Sequence, residues 1–125
     1  MPDIALRFHK DMLTISAPLD AALARQGVDV DRDMEYLVLV EPETIQDILR
    51  LESTAGAQCL TTPTEGITRA RLAHHSLEDR AEELAQNALD MVRELAPQHI
   101  LVEIGPCRLP LDPSSKSSLN EHRDQ

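Results

Sequence analysis

The sequence has few basic residues, few cysteines and no long apolar run, and each shortage excludes a class of protein. Twelve Lys and Arg residues stand against 22 Asp and Glu residues, which gives a formal net charge of −10 at pH 7. A chain this acidic, without a basic cluster, does not favour binding to phosphate backbones or anionic lipid surfaces. No segment approaches the roughly 20 apolar residues of a membrane span, and residues 1–12 lack the apolar stretch of a secretion signal. We therefore expect a cytoplasmic protein that binds neither nucleic acid nor membrane.

The cysteine content predicts free thiols in a reducing compartment. Cys59 and Cys107 are too few for a disulfide framework and too far apart for local metal-ligand spacing. The length of 125 residues fits one domain with a modest core.

Strand-like and helix-like segments alternate along the chain. The predicted strands cover residues 11–16, 57–62 and 99–105, and the predicted helices cover residues 19–27, 41–56, 66–75 and 77–96. The helix over 41–56 has the clearest pattern, because proline occupies its first turn and Gly56 follows its last apolar residue. Residues 28–35 are predicted to form an acidic loop. The apolar run over 36–40 is compatible with a strand, but five residues do not decide between strand and helix.

This alternation predicts an α/β fold with a parallel sheet. Strands at a spacing of roughly 40 residues, with helices between them, favour right-handed crossovers. A (β/α)8 barrel takes about 250 residues, so this chain is long enough for about three of its eight units. A parallel sheet needs cover on both faces, and three strands with helices on one side leave the other face uncovered. The uncovered face would be filled by the rest of a longer polypeptide, by a second copy, or by the acidic loop and the tail.

Residues 36–106 carry a family resemblance. Six local features follow one another within EPETIQDILRLESTAGAQCLTTPTEGITRARLAHHSLEDR and EIGP. They are a helix start with proline and acids, an Ala-Gly-Ala helix stop, a threonine-rich strand end, an Arg-Leu-Ala helix, a Leu-Glu-Asp helix start and a Gly-Pro strand end. This ordered set resembles the N-terminal part of the homocysteine S-methyltransferase family, the barrel domain also found in cobalamin-dependent methionine synthase. The resemblance implies a partial barrel over residues 1–109, followed over 110–125 by a polar tail or the start of the next helix.

The same resemblance implies a chemistry and also limits it. The family methylates the homocysteine thiol, activated on a cysteine-bound zinc ion, from a folate, corrinoid, betaine or sulfonium donor, and so serves methionine biosynthesis. The zinc cysteines lie in later strands of the family barrel, and neither Cys59 nor Cys107 matches them. We expect no metal ligand and no cofactor in this chain, and zinc only in a full-length member.

Both substrate motifs of the family are altered here. Its Asp-Gly-rich motif after the first strand is replaced over residues 16–20 by Ser-Ala-Pro-Leu-Asp. Its Glu-Thr-Asn-Thr-Phe motif is replaced over residues 61–65 by Thr-Thr-Pro-Thr-Glu, so only Thr62 and Thr64 carry over. The acid and the amide expected to contact the charged end of homocysteine are lost at their positions.

Four residues are candidates for substrate binding, namely Thr62, Thr64, Glu103 and Gly105, and no catalytic residue is predicted. Threonines exchange hydrogen bonds but perform no acid–base work near neutral pH, and they equally suit a structural role at a strand end. Glu103 interrupts an apolar strand, so it needs a partner such as Arg108, a raised pKa, a place in the lumen, or solvent. Gly105 belongs to the Gly-Pro strand end of the family.

Other reactive side chains are interpreted as structural. Cys107 has only a neighbouring arginine to lower the pKa of its thiol and is predicted to be inert. The adjacent His74 and His75 point in different directions on a helix and are expected at the surface. Arg69, Arg71 and Arg80 are interpreted as a solvated face.

Two functional hypotheses follow. In the first, the chain binds a thiol amino acid or a methyl-donor protein, and methyl transfer needs zinc ligands from a missing C-terminal half or a partner subunit. In the second, it is a non-catalytic half-barrel for interaction or assembly, whose strand edges are covered by self-association; the altered motifs favour this one. An independent enzyme built on Glu103 and Cys107 lacks a partner base. Residues 120–125 are typical of a helix start, so we expect a truncated chain.

Overall fold

The computed structural model describes residues 3–30 and 33–106, together with Lys116, Asn120 and Arg123. Its helices are α1 (Ile4–Arg7), α2 (Leu19–Arg25), α3 (Met34–Val40), α4 (Pro42–Thr54), α5 (Arg69–Leu72) and α6 (Ala81–Arg93), with 3-10 turns at Ala73–His75 and Glu78–Arg80. Its strands are β1 (Cys59–Thr61) and β2 (His99–Leu101). No helix in the described part is long and apolar enough to cross a membrane.

The two strands form a parallel sheet, as the alternation of elements predicts. Leu60 pairs with Ile100 and Thr61 with Leu101. Paired residues point to the same side of a sheet, so Leu60 and Ile100 share one face. That face packs against the helices, because both side chains belong to or contact the buried apolar cluster. The fold is therefore α/β, with a smaller sheet than expected.

The predicted third strand over residues 11–16 is not confirmed. Its pairing with β1 is limited to an isolated parallel bridge between Ile15 and Cys59. Side-chain hydrogen bonds replace a regular ladder here: Thr14 Oγ1 donates to the carbonyl of Gly56, and Ser16 Oγ accepts from the Thr61 N–H at 3.1 Å. Pro18 follows closely and has no N–H to continue a ladder.

The apolar run after the acidic loop is a helix. The helix α3 includes Met34 and Glu35, so the loop predicted over 28–35 ends earlier than expected. Met34 and Val38 are one turn apart and both are buried, which gives the short helix an inward face. Pro42 then starts α4 directly after Glu41, as the sequence predicts for that helix.

The core lies between the helices and the sheet. It consists of Leu19, Leu23, Met34, Val38, Ile45, Ile48, Leu49, Leu60, Leu72, Leu77, Leu84, Ala88, Met91 and Val92. The helices predicted over 66–75 and 77–96 are shorter in the structure, because 3-10 turns and a left-handed Ser76 at φ 55° separate α5 from α6. Ala85 and Leu89 of α6 line one cavity together with the segment that follows β1.

Ala96 is a strained position at the end of the α6 segment. Its φ of 49° lies in the left-handed region, which costs an L-residue about 1 kcal/mol or more. We expect Ala96→Gly to raise the free energy of unfolding by about 1 kcal/mol in urea denaturation. The matched control is Ala21→Gly within α2, where glycine lowers helix stability by about 1 kcal/mol. A loss of stability in both variants would refute the assignment of strain at Ala96.

Candidate functional site

A cavity of about 280 Å³ opens at the carboxyl ends of β1 and β2. The segment after β1 contributes polar wall residues, the segment after β2 contributes Val102 to Gly105, and α6 contributes Ala85 and Leu89. In parallel α/β folds this end of the sheet is where ligands bind, since the loops there are free to vary. The cavity is therefore the candidate functional site.

The four predicted substrate-binding residues all line this cavity. Thr62 and Thr64 follow β1, and the Thr62 N–H donates to the carbonyl of Leu101 at 2.9 Å, extending the sheet by one bond. Glu103 and Gly105 follow β2. Residues far apart in sequence are brought together because the strands are parallel and their carboxyl ends share one edge.

A closed chain of hydrogen bonds links the two strand ends. The Glu103 N–H donates to Thr62 Oγ1 at 3.3 Å, and Thr64 Oγ1 donates to the Glu103 carbonyl at 2.5 Å. The two hydroxyls lie 2.7 Å apart, and since the Thr64 proton is committed, Thr62 is the donor of this bond. Both hydroxyl protons are thus used. Each threonine oxygen keeps a lone pair with which it can accept a further hydrogen bond.

Gly105 is required by close packing between the strand ends. A Cβ atom at this position would lie 2.5 Å from the carbonyl oxygen of Glu65 and would overlap its Cγ. The glycine therefore allows the segment after β2 to approach the segment after β1. This approach closes one side of the cavity.

Three carboxylates surround a second cavity beside the first. This space of about 270 Å³ is lined by Asp20, Glu65 and Glu103, together with Pro18, Leu19 and Met34. Glu65 and Glu103 line both cavities. Partial burial raises the pKa of Glu103, and the charges of Glu65 and Asp20 raise it further. The carboxyl end of the sheet is thus a region of negative potential.

Asp20 and Glu65 were not predicted as site residues. Each lies at the edge of an altered substrate motif, Asp20 at the end of residues 16–20 and Glu65 at the end of residues 61–65. Motif comparison at matching positions finds the family's acids missing. The signal that could have found Asp20 and Glu65 is the acidic residue at the end of each altered motif, because a loop can return such a residue to the same edge of the sheet.

The raised pKa of Glu103 leads to a pH-dependent prediction. A carboxyl whose pKa is raised in the folded state binds its proton more tightly there, so its contribution to stability is lost as pH rises above the ordinary value of 4.5. We expect the stability of Glu103→Gln to fall less than that of the wild type between about pH 4.5 and pH 7. Urea midpoints measured across this range provide the test. Parallel curves for the two proteins would contradict the raised pKa.

The other predicted side chains have varied positions. The expectation of a solvated Arg71 is wrong: its side chain is only 7% exposed and pairs with Glu35. Arg80 pairs with Glu83 on the surface, as expected. His75 is half-buried, lies 3.1 Å from an Asp33 oxygen and stacks on Tyr36. Cys107, Arg108, the side chain of His74 and the predicted tail, apart from three single residues, lie outside the described residues.

The described residues do not fit a zinc site. Cys59 is a free, buried thiol on β1. Within residues 3–30 and 33–106, no three His, Cys, Asp or Glu side chains come close enough together to hold a metal ion. No metal-dependent step is therefore assigned to them.

Parallel strands, intervening helices and a cavity at the strand ends define an α/β protein whose candidate site lies where parallel α/β folds bind ligands. The homocysteine S-methyltransferase family model matches residues 12–125, so the chain belongs to that family. The fold is similar to the metallated crystal structure of the homocysteine methyltransferase MmuM from Escherichia coli, with a TM-score of 0.66 and 18% identity. This similarity covers 79% of the present chain and 40% of MmuM, so the chain spans less than half the length of that protein. No curated protein matches the sequence.

Proposed function

We propose that the chain binds a thiol amino acid, homocysteine first among them, in the cavity at the strand ends, as its part in a methyl transfer to the thiol. The observation that carries this proposal is the hydrogen-bonded chain through Thr62, Thr64 and the Glu103 backbone. It leaves the threonine oxygens able to accept but not to donate. In a protein of this family, such a site complements a ligand that donates hydrogen bonds.

The acidic residues around the cavity favour a ligand group that carries a positive charge and donates hydrogen bonds. The α-ammonium group of an amino acid has three N–H donors and a positive charge, so it suits the remaining lone pair of Thr64 and the carboxylate of Glu103, while Thr62 is fully buried and holds Thr64 in place. The carboxylate of the ligand would then point away from the three acids, towards solvent. The pKa of Glu103 is raised by burial first and then by the charges of Glu65 and Asp20, and the positive charge of the ligand would oppose this second contribution.

The apolar wall suits the rest of the ligand. Ile67, Leu89 and Val102 also line the cavity. A short sulfur-containing side chain would lose little hydration there and would fit the available volume. A lining that combines a few polar groups with apolar side chains supports an amino acid rather than a sugar or a nucleotide.

Methyl transfer itself requires more than these residues. A thiol attacks a methyl donor as its thiolate, and the described side chains include no group suited to stabilise that anion beside the acids. We propose that the zinc ligands come from another polypeptide segment, either a C-terminal barrel half or a partner subunit. We also propose a methyl-donor protein as a partner, which would bind at the carboxyl ends of the two strands.

Calorimetric titration of the full chain tests this proposal. We expect L-homocysteine to bind with a stoichiometry of one, and its des-amino analogue, 4-mercaptobutyrate, to bind about tenfold or more weakly, because it lacks the charge-assisted hydrogen bonds. Thr64→Val should weaken the binding of homocysteine but not the binding of 4-mercaptobutyrate. Equal affinity for the two ligands, or no binding of either, would contradict the proposal.

A non-catalytic interaction module is the second candidate. Apolar side chains beside the sheet are exposed, notably Ile15 at 54%, Val102 at 60% and Ile104 at 83%. Self-association or a complementary barrel half would cover them. Light scattering distinguishes the candidates together with the titration: an oligomer that binds no homocysteine favours the module, and a chain that binds homocysteine in any oligomeric state favours the first proposal.

A further inference from the structure

A buried ion pair lies next to the loop that follows β1, which contributes Thr64 and Glu65 to the cavity. The Nη2 atom of Arg71 in α5 lies 3.3 Å from Oε2 of Glu35 in α3, and the two side chains are 7% and 4% exposed. The pair joins two helices that belong to different parts of the chain. It lies beside Gly66 in the loop between β1 and α5.

Gly66 fits against this ion pair because it has no side chain. A Cβ atom at position 66 would overlap Oε1 of Glu35 and would lie 2.6 Å from Cζ of Arg71. The charged groups therefore occupy the space next to the Gly66 backbone. A shift of the loop towards α3 would press the Gly66 backbone against these groups.

Arg71 also fixes the neighbouring segments. Its Nη2 atom donates to the carbonyl of Val30 at 2.8 Å, and its backbone N–H donates to Thr68 Oγ1 at 3.3 Å. Thr68 itself lines the cavity. The guanidinium thus joins Val30 to Glu35 of α3, and the backbone N–H of the same residue caps the start of α5.

Stability does not explain this pair. Burial raises the pKa of Glu35, and the Arg71 guanidinium opposes that effect only in part. Oε1 of Glu35 and Nε of Arg71 have no hydrogen-bond partner among the described residues. Removing two charges from water and leaving buried polar atoms unpaired is unfavourable, and an apolar pair of similar volume is often at least as stable.

We infer that Glu35 and Arg71 are positioning residues, which hold Gly66 and thereby set the places of Thr64 and Glu65 at the cavity. For its effect on ligand binding, this inference rests on the proposed function. For its effect on the loop, it stands on the geometry of the described residues alone.

Amide hydrogen exchange by NMR tests the effect on the loop. The Ile67 N–H donates to the Thr64 carbonyl at 3.1 Å and the Thr68 N–H to the Gly66 carbonyl at 2.8 Å, so both amides report on the loop. The test variant is Glu35→Gln combined with Arg71→Met, which leaves no unpaired buried charge and should remain folded. The matched control is Arg80→Met, which removes a guanidinium from an exposed pair.

We expect both loop amides to exchange roughly tenfold faster or more in the double variant, while amides in α4 and α6 keep their protection. The control should leave all of them unchanged. Unchanged loop amides would overturn the inference, and so would a uniform acceleration over the whole protein, because that would indicate lower global stability instead of a released loop.

Homocysteine titration of the same variants tests the consequence for the site. We expect the double variant to bind homocysteine about tenfold more weakly than the wild type. Faster loop exchange with unchanged affinity would refute the positioning role. If the wild type itself binds no homocysteine, the proposed function fails, while the exchange experiment still decides whether the ion pair holds the loop.

Discussion

Replacing Arg71 with methionine is expected to lower the free energy of unfolding by about 3 kcal/mol near pH 7, because it leaves the buried carboxylate of Glu35 without its counter-charge. Replacing Glu35 with glutamine should have a comparable effect, since it leaves Arg71 as an unpaired buried cation. The double variant should lose less than either single variant. Urea denaturation of all four proteins at one pH measures the coupling.

The cost of Arg71→Met should depend on pH in a defined direction. Burial already raises the pKa of Glu35 in the presence of Arg71, and removal of the guanidinium raises it further. The folded variant then takes up a proton more readily than the unfolded chain, so acidification favours the folded state. The stability difference from the wild type should therefore shrink between about pH 7 and pH 5. A difference that stays constant or grows on acidification would contradict the buried pair.

Replacing Gly105 with alanine is expected to weaken homocysteine binding by about a hundredfold and to lower stability by about 2 kcal/mol. The added Cβ would lie 2.5 Å from the backbone oxygen of Glu65, which cannot rotate away as a side chain can. The two strand ends would have to separate. Their separation would break the hydrogen bonds that join Thr62 and Thr64 to Glu103.

The matched control for this variant is Gly27→Ala. Gly27 has a φ of 85°, and no described atom from outside its own stretch of chain lies within 4 Å of the position that a Cβ would take. The control should therefore lower stability by about 1 kcal/mol through backbone strain alone and leave homocysteine affinity unchanged. Equal effects of the two variants on affinity would show that close packing at Gly105 does not shape the site.

Local patterns were sufficient where neighbouring residues determine the structure. The helix predicted over 41–56 is present as Pro42–Thr54, because its proline, its apolar spacing and Gly56 act within a few residues of one another. The run over 36–40 could not be assigned, since five consecutive apolar residues show no period. Its helical form depends on packing of Met34 and Val38 against distant helices, which the run itself does not encode.

Long-range contacts account for the predictions that failed. The segment over 11–16 has strand composition, but side-chain bonds of Thr14 and Ser16 replace the ladder and depend on residues 56 and 61, far along the chain. Arg71 resembles a surface residue by sequence, and its partner Glu35 belongs to a segment predicted as a loop. Such a pair is visible only after α3 and α5 are placed side by side.

The candidate site was predictable in part for a similar reason. Thr62, Thr64 and Gly105 were selected by comparison with family motifs and Glu103 because it interrupts an apolar strand, and the structure brings all four to one cavity. The comparison could not show that both threonine hydroxyls donate internally, which leaves them as acceptors. It also missed Asp20 and Glu65, since their return to the strand ends depends on loop paths.

The glycine region of the NMR spectrum gives the most direct test of the central claim, which is that a thiol amino acid binds where the two strands end. The chain has only four glycines, at positions 27, 56, 66 and 105, so selective labelling gives one signal at the cavity and remote reference signals. On titration with L-homocysteine, we predict that the Gly105 signal shifts in a saturable manner while those of Gly27 and Gly56 stay in place. A Gly105 signal that does not move, or saturable shifts confined to Gly27 and Gly56, would contradict the account.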